Sequence, residues 1–188
     1  MFNSVEADNH RGLTLPLVEG EEDVLHLFGF RGKDPVGSLG RYFGTGENPL
    51  ISCRQIHGDR ILVLRSLEPP RQTAGYDALI SDFPGIILTV RTADCIPLLL
   101  WDKKKKAAGA VHAGWRGSLL KITQKTVEEM RREFGSSPED LIAGFGPAAG
   151  PCCYEVDEAV LEPLGRKFGY WKELVRGMSK DRGKLDLV

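Results

Sequence analysis

Three short segments of the chain place a histidine or a cysteine beside a predicted turn. His57 precedes a glycine, Cys95 follows Asp94, and His112 comes just before a Gly-Trp-Arg-Gly turn. Sites are commonly built where strands give way to loops. Two imidazoles and one thiolate suit zinc, and three protein ligands leave a fourth position for water or substrate. We therefore predict a transition-metal site, best assigned to zinc, at His57, Cys95 and His112, with a buried apolar cysteine and two structural histidines as the alternative.

The same side chains permit a second chemistry. A thiolate at Cys95 could act as a nucleophile with His57 or His112 as its base. The spacing of the three residues matches no compact metal-binding motif. Local sequence therefore does not separate a metal site from a cysteine nucleophile.

Cys152 and Cys153 are adjacent in a segment rich in proline and glycine. We interpret them as two thiols packed in a loop, with a redox switch or an additional metal ligand as the alternative. Four cysteines in a chain of 188 residues are not a disulfide framework.

Composition narrows the classes of function. The net charge is −1, which gives no bulk attraction to nucleic acid or to an anionic membrane. We therefore expect neither as a partner. Residues 1–12 lack the basic and then apolar pattern that begins a secretory signal, so we expect a cytoplasmic protein.

Alternating strands and helices are predicted to position the candidate residues. Apolar and β-branched runs predict strands at 61–64, 78–81, 85–90, 97–101, 107–112 and 141–145. Lys103–Lys106 is expected to form a solvated hairpin tip and not a nucleic-acid site. The apolar spacing over Ser118–Phe134 predicts an amphipathic helix that ends at Gly135. A weaker helix over Asp157–Phe168 is expected to be interrupted by Pro163.

Five segments, in this order, resemble a known family. They are Gln-Ile-His-Gly at 55–58, Tyr-Asp-Ala-Leu-Ile at 76–80, Thr-Ala-Asp-Cys-Ile-Pro at 92–97, Val-His-Ala-Gly-Trp-Arg-Gly at 111–117, and Gly-Pro-Ala-Ala-Gly-Pro-Cys-Cys-Tyr-Glu-Val at 146–156. The chain is similar to the YfiH-like proteins. These were long described as multicopper polyphenol oxidoreductases (laccases) and are now regarded as purine nucleoside phosphorylases with adenosine deaminase activity.

The resemblance implies an α+β fold, with layered mixed β-sheets flanked by helices, of the CNF/YfiH-like and cysteine-hydrolase-like type. It implies that His57, Cys95 and His112 bind zinc, and that a purine nucleoside and phosphate are the reactants. Copper could replace zinc, because the general affinity order favours Cu(II). A four-copper laccase centre is excluded, because it needs many more histidine ligands than the four in this chain.

Charged residues near these segments are candidates for catalysis. Arg31 and Arg116 are expected to bind phosphate. The segment around Arg31, Phe28–Lys33, departs from the opening stretch of the family. Asp94 is expected either to orient a ligand histidine or to transfer a proton.

Three further residues are candidates for binding the substrate: Gln55, Asp77 and Trp115. Asp77 could equally be a structural carboxylate. Trp115 could stack on a purine base or simply fill the turn before the helix.

Other functions stay open at this point. One is a cysteine hydrolase or amidase with Cys95 as nucleophile, another is a copper-binding, polyphenol oxidase-like protein, and a third is a binding protein without catalysis. Because the family usually continues further, we expect residues 1–188 to be a single YfiH-like domain that is incomplete at its C-terminus. We expect a monomer or a weak homodimer.

Overall fold

The computed structural model describes residues 2–7, 10–14, 24–30, 44, 48–66, 68, 74–179 and 181–186. These ranges contain the following strands: β1 (Asn3–Ala7), β2 (His10–Thr14), β3 (Phe28–Gly29), β4 (Leu50–Ser52), β5 (Ile61–Leu64), β6 (Ala78–Ser81), β7 (Ile87–Thr89), β8 (Ile96–Asp102), β9 (Ala107–Ala113), β10 (Leu141–Phe145), β11 (Glu155–Asp157), β12 (Val175–Ser179) and β13 (Arg182–Leu185). The α-helices are α1 (Trp115–Leu119), α2 (Ile122–Phe134) and α3 (Glu158–Lys167), and single 3₁₀ turns lie at Pro138–Asp140 and Trp171–Leu174. In this part of the chain, no helix is both long and apolar enough to cross a membrane.

A five-stranded sheet of order β10-β8-β9-β6-β5 forms the centre of the molecule. β5 and β6 pair in parallel, whereas the other neighbours in this sheet are antiparallel. Smaller sheets have the orders β1-β2-β3 and β11-β13-β12, and β4 pairs with β7 in parallel. Mixed sheets with flanking helices confirm the predicted α+β class.

The main hydrophobic core lies between the central sheet and α2. Ile80, Leu98 and Val111 come from three neighbouring strands, and Ile122 and Met130 come from the helix. All five are completely buried. β6 is buried at every position and β8 at all but one, so both read as continuous apolar runs and not as alternating patterns.

The helix predicted over Ser118–Phe134 is divided in two, which corrects its start. α1 ends at Leu119, and α2 begins at Ile122 after Lys121 adopts a left-handed conformation with φ of 62°. The periodicity could not reveal this break, because the apolar positions keep their spacing across it. The predicted end is confirmed, since Gly135 caps α2 with φ of 71°.

Pro163 does not interrupt α3, contrary to the prediction. The helix begins at its cap Asp157, whose carboxylate accepts a hydrogen bond from the N–H of Ala159, and continues through the proline. A proline inside a helix costs about 3 kcal/mol. The buried apolar side chains of α3, which are Val160, Leu161 and Leu164, pack it into a second core cluster and offset that cost.

The charged turn between β8 and β9 is as predicted. Lys103–Lys106 are all exposed, and one carboxylate oxygen of the buried Asp102 accepts hydrogen bonds from the N–H groups of Lys104 and Lys105. The Lys104 side chain pairs with Asp140 at 2.7 Å. These contacts give the lysine run a structural part at one end of the sheet.

The opposite end of the sheet gathers the predicted site residues. β8 begins directly after Cys95, β6 begins directly after Asp77, and β9 ends around His112. Because β9 runs antiparallel to both neighbours, its end lies beside their beginnings, and Pro97 pairs with His112. β5 starts at this same end, following the loop that carries His57.

Candidate metal centre

Three side chains converge at this end of the sheet. One ligand-type atom each from His57, Cys95 and His112 lies within 4.8 Å of the other two. The two imidazole rings meet edge to face, with centroids 4.7 Å apart. His112 is buried, Cys95 is half-buried and His57 is exposed, so the cluster is fixed on one side and open to solvent on the other.

Asp77 supports two of these residues from behind. Its carboxylate is completely buried and lies 2.8 Å from Nδ1 of His112. It also accepts hydrogen bonds from the backbone N–H groups of Ile56, His57 and Gly58 at 3.2, 2.9 and 2.8 Å. The backbone carbonyl of Asp77 accepts a further hydrogen bond from the N–H of His112 at 2.7 Å.

These contacts decide the tautomer of His112. Burial opposes charge on Asp77, but the hydrogen bonds from His112 and from the three N–H groups hold the pKa of that carboxyl below its usual value. An ionised carboxylate only accepts hydrogen bonds, so Nδ1 of His112 is the donor, and Nε2 is the nitrogen that a neutral ring offers to a metal. A ligand histidine in proteins is commonly held in this way by a carboxylate. The donor set therefore fits a transition-metal ion such as zinc.

The loops that carry His57 and Cys95 both contain a left-handed residue. His57 has φ of 60° and Asp94 has φ of 73°, values that cost energy in residues other than glycine. The Asp77 carboxylate holds the first loop, and the N–H of Ala149 holds the second by donating to the carbonyl of Asp94 at 2.9 Å. Hydrogen bonds thus fix both loops.

Cys95 and Asp94 lie side by side in the second loop. Burial raises the pKa of the Cys95 thiol, and the negative charges of Asp94 and Asp77 raise it further. Asp94 itself is exposed. The carboxylate that contacts a histidine of the cluster is that of Asp77, whereas this contact was expected of Asp94.

The residues expected to contact a substrate differ in their placement. Asp77 is fully buried and engaged with the His57 loop and His112. The side-chain amide of Gln55 is bound to the backbone of Arg91. Trp115 is half-buried and packs against the second core cluster.

Arg116 lies over one face of Trp115. Its guanidinium carbon is 4.2 Å from the centroid of the tryptophan ring, and its side chain is exposed. The guanidinium is therefore available to an anion, whereas the indole face beneath it is covered. Arg31, the other predicted phosphate ligand, lies outside the described residues.

Two residues near the cluster received no role from the sequence. Tyr154 is half-buried, and burial raises the pKa of its hydroxyl. Charge on Cys95 adds to that rise, and Arg116 opposes it, so the hydroxyl lies within electrostatic range of both. At Gly114, a Cβ atom would lie 3.0 Å from Sγ of Cys95 and 3.0 Å from Cδ2 of His57. Gly114 lies in the family-like segment 111–117 and Tyr154 in the segment 146–156, and these positions were the sequence signal for a role near the site.

Cys152 and Cys153 lie outside the three-residue cluster that the described residues form. Their sulfur atoms are 2.9 Å apart, and both residues are exposed. The expectation that they are packed within the loop is therefore wrong. The N–H groups of Cys153 and Tyr154 both donate to the carbonyl of Gly150 and form the turn of this loop.

Comparison with known proteins extends these observations. Residues 36–188 match the family described as multi-copper polyphenol oxidoreductase laccase. A purine nucleoside phosphorylase of Bacteroides thetaiotaomicron is 39% identical over 127 residues, which are 68% of this chain and 47% of that protein. Adenosine deaminase RL5, from an unknown prokaryotic organism, is 33% identical over 158 residues, 80% of this chain and 60% of that protein.

Comparison of the fold with solved structures agrees with the sequence comparison. The crystal structure of the hypothetical protein YfiH from Bacillus licheniformis superimposes with a TM-score of 0.74 and 24% identity, covering 95% of this chain and 73% of that one. The chain spans about half the length of the phosphorylase it matches. With the match to residues 36–188, these similarities show that the chain belongs to the laccase-like family that includes the YfiH proteins.

Proposed function

We propose that this chain is a zinc-dependent purine nucleoside phosphorylase, acting on adenosine, inosine or related nucleosides, with adenosine deaminase activity. The observation that carries the proposal is the convergence of His57, Cys95 and His112 from three separate segments, with the Asp77 carboxylate behind them. The class of substrate comes from relatives named for the two activities.

Both reactions need an electrophilic centre and a place for an anion or a water molecule. In phosphorolysis, phosphate attacks C1′ of the nucleoside, the bond from C1′ to the base breaks, and the base leaves with a proton. In deamination, water replaces the 6-amino group of adenine and ammonia leaves. Zinc held by His57, Cys95 and His112 would supply Lewis acidity to the reacting group.

The residues around the cluster contribute binding and orientation. Asp77 fixes the ring of His112 and the turn that carries His57. The exposed guanidinium of Arg116 offers charge-assisted hydrogen bonds to phosphate. We assign proton exchange with the substrate to Asp94, whose carboxylate is exposed and which precedes Cys95 in the chain.

The first experiment measures metal and activity together on the purified chain. We expect about one zinc per chain by elemental analysis. Phosphate-dependent release of free base from inosine and adenosine, and ammonia release from adenosine, should accompany it. Cys95→Ala should lose both zinc and activity. Cys53→Ala is the matched control, because Cys53 lies outside the cluster and its thiol donates to the carbonyl of Tyr76.

The role of Arg116 has its own test. Arg116→Ala should raise the KM for phosphate, whereas Arg166→Ala, which changes an exposed arginine of α3 paired with Glu162, should not. Unchanged phosphate kinetics in Arg116→Ala would assign this arginine to the packing on Trp115 alone.

A cysteine hydrolase is the second candidate, and one observation favours it. Both imidazoles lie within 4.8 Å of the Cys95 sulfur, which also suits a nucleophile and its base. If the purified chain holds no transition metal, and added zinc or copper restores no activity, the metal-dependent proposal fails and the Cys95 nucleophile replaces it.

A further inference from the structure

The side chain of Gln55 behaves like a piece of backbone. Its Nε2 donates a hydrogen bond to the carbonyl of Arg91 at 2.8 Å, and its Oε1 accepts one from the N–H of the same residue at 2.8 Å. The donor and the acceptor of the Gln55 amide thus both bind the backbone of Arg91. Adjacent strands bind each other through the same pair of groups.

This contact lies where two paired strands separate. β4 and β7 run in parallel, with Ser52 opposite Thr89, and the hydroxyl of Thr89 donates to the carbonyl of Ile51 at 3.0 Å. The ladder stops there. Gln55 follows β4 and Arg91 follows β7, so the glutamine amide continues the pairing of the two segments beyond Ser52 and Thr89.

The segments after β4 and β7 then lead to two different residues of the cluster. Gln55 is followed two positions later by His57, and Arg91 is followed four positions later by Cys95. The Gln55–Arg91 contact therefore joins the loop of one imidazole to the loop of the thiol. The Asp77 carboxylate, in contrast, joins the His57 loop to His112.

We propose that Gln55 is a positioning residue of the metal centre, whose amide sets the separation between His57 and Cys95. The inference rests on the proposed metal site. It gives Gln55 a different part from the substrate contact expected from the sequence, because both polar ends of the side chain are already bound to backbone.

The strained residues in both loops explain why such a contact is needed. His57 and Asp94 hold left-handed backbone conformations that persist only when surrounding contacts impose them. Removing the Gln55 contact allows the two loops to relax away from each other. The three ligand atoms then lose their preformed spacing, and the cost appears in metal affinity more than in folding.

The test compares Gln55→Met with Arg91→Ala in the full chain. Gln55→Met keeps the length of the side chain and removes both hydrogen bonds. Arg91→Ala keeps them, because they use the backbone of Arg91. In competition with a zinc chelator, we expect Gln55→Met to lose about 10- to 100-fold in zinc affinity. Arg91→Ala should stay within about twofold of the parent chain, as is usual for exposed positions.

A spectroscopic readout separates positioning from a general loss of stability. With Co²⁺ in place of zinc, the visible spectrum reports the geometry of the thiolate and imidazole ligands, so Gln55→Met should shift it. Gln55→Glu should act in the same direction, because a carboxylate accepts from the N–H of Arg91 but cannot donate to its carbonyl. Thermal melting of the metal-free proteins should change little.

Two outcomes would overturn the inference. Unchanged zinc affinity and an unchanged Co²⁺ spectrum in Gln55→Met would show that the contact does not set the ligand spacing. A higher KM for nucleoside with unchanged metal binding would return Gln55 to the substrate. Failure of the parent chain to bind zinc or Co²⁺ is a different result, because it removes the metal site itself.

Discussion

The loop with Cys95 and the loop with Cys152 and Cys153 each hold a cysteine sulfur close to another potential metal ligand. The two loops differ in the surroundings of the sulfur. Cys95 is half-buried, with two imidazoles within 4.8 Å and the buried Asp77 carboxylate behind them. Cys152 and Cys153 are exposed, and their nearest sulfur contact is each other at 2.9 Å. A hydrogen bond from Lys184 to the carbonyl of Cys152 lies beside this pair.

The difference shows that adjacency in sequence does not make a site. The Cys152–Cys153 pair is obvious in the sequence, but both of its residues are exposed to solvent. The cluster around Cys95 comes from segments far apart in sequence, and hydrogen bonds hold each of its loops. A metal ion needs several ligands held at a fixed spacing, so the cluster around Cys95 is the arrangement that favours metal binding.

The largest effect should come from removing the support behind the cluster. Asp77→Ala leaves three N–H groups and the His112 ring without their acceptor, so we expect a loss of at least about 3 kcal/mol in the free energy of unfolding. Zinc binding should be lost as well. Urea denaturation and metal analysis would measure the two effects.

Asp102→Ala is the matched control for Asp77→Ala. Asp102 is also fully buried and accepts two backbone hydrogen bonds, but it lies at the other end of the sheet. It should destabilise the fold while the folded fraction still binds zinc. Zinc binding that survives Asp77→Ala would contradict the comparison.

Alkylation should rank the thiols by their surroundings. Burial, assisted by the charge of Asp77, raises the pKa of Cys53 to about 11. A raised pKa keeps this thiol protonated at pH 8, where only about one molecule in a thousand is thiolate, against roughly a quarter for an ordinary cysteine. We expect Cys53 to react with iodoacetamide at least on the order of 100-fold more slowly than Cys152, as measured by peptide mass spectrometry. Similar rates in the native protein would refute this, and denatured protein, where the rates should converge, is the control.

Crowding the cluster should have a smaller effect. Gly114 has φ of −77°, which alanine adopts freely, but the new methyl group would lie 3.0 Å from Sγ of Cys95. Overpacking of this kind costs about 1–3 kcal/mol, so Gly114→Ala should weaken zinc binding by about 5- to 150-fold. In Gly150→Ala, the methyl group meets no atom within 4 Å, and zinc affinity should be unchanged. Equal affinities for the two variants, measured by chelator competition, would show that the cluster tolerates the added group.

The smallest effect should come from the exposed pair. Cys152→Ser and Cys153→Ser should leave zinc content and affinity within about twofold of the parent chain, because surface substitutions away from a site change little. Cys95→Ser provides the contrast, since it replaces one of the three proposed ligands. Loss of zinc in either loop variant would make the pair part of the metal centre.

The sequence predicted regular elements well where one signal dominated. The β-branched and apolar runs gave the strands of the central sheet, and Gly135 gave the end of α2. It failed at two positions. Lys121 adopts a left-handed conformation that divides one predicted helix, and α3 passes through Pro163 because the apolar face of the helix is buried.

The sequence by itself put His57, Cys95 and His112 forward as candidates for the cluster, because each lies beside a predicted turn and in a segment that resembles the family. Only the tertiary structure decided how they are supported. It gave the His112 contact to Asp77 and not to Asp94, and it turned Gln55 toward the backbone of Arg91. Such choices depend on which strand begins beside which other strand ends. That is set by the pairing of β6, β8 and β9 across the sheet and not by any local run of residues.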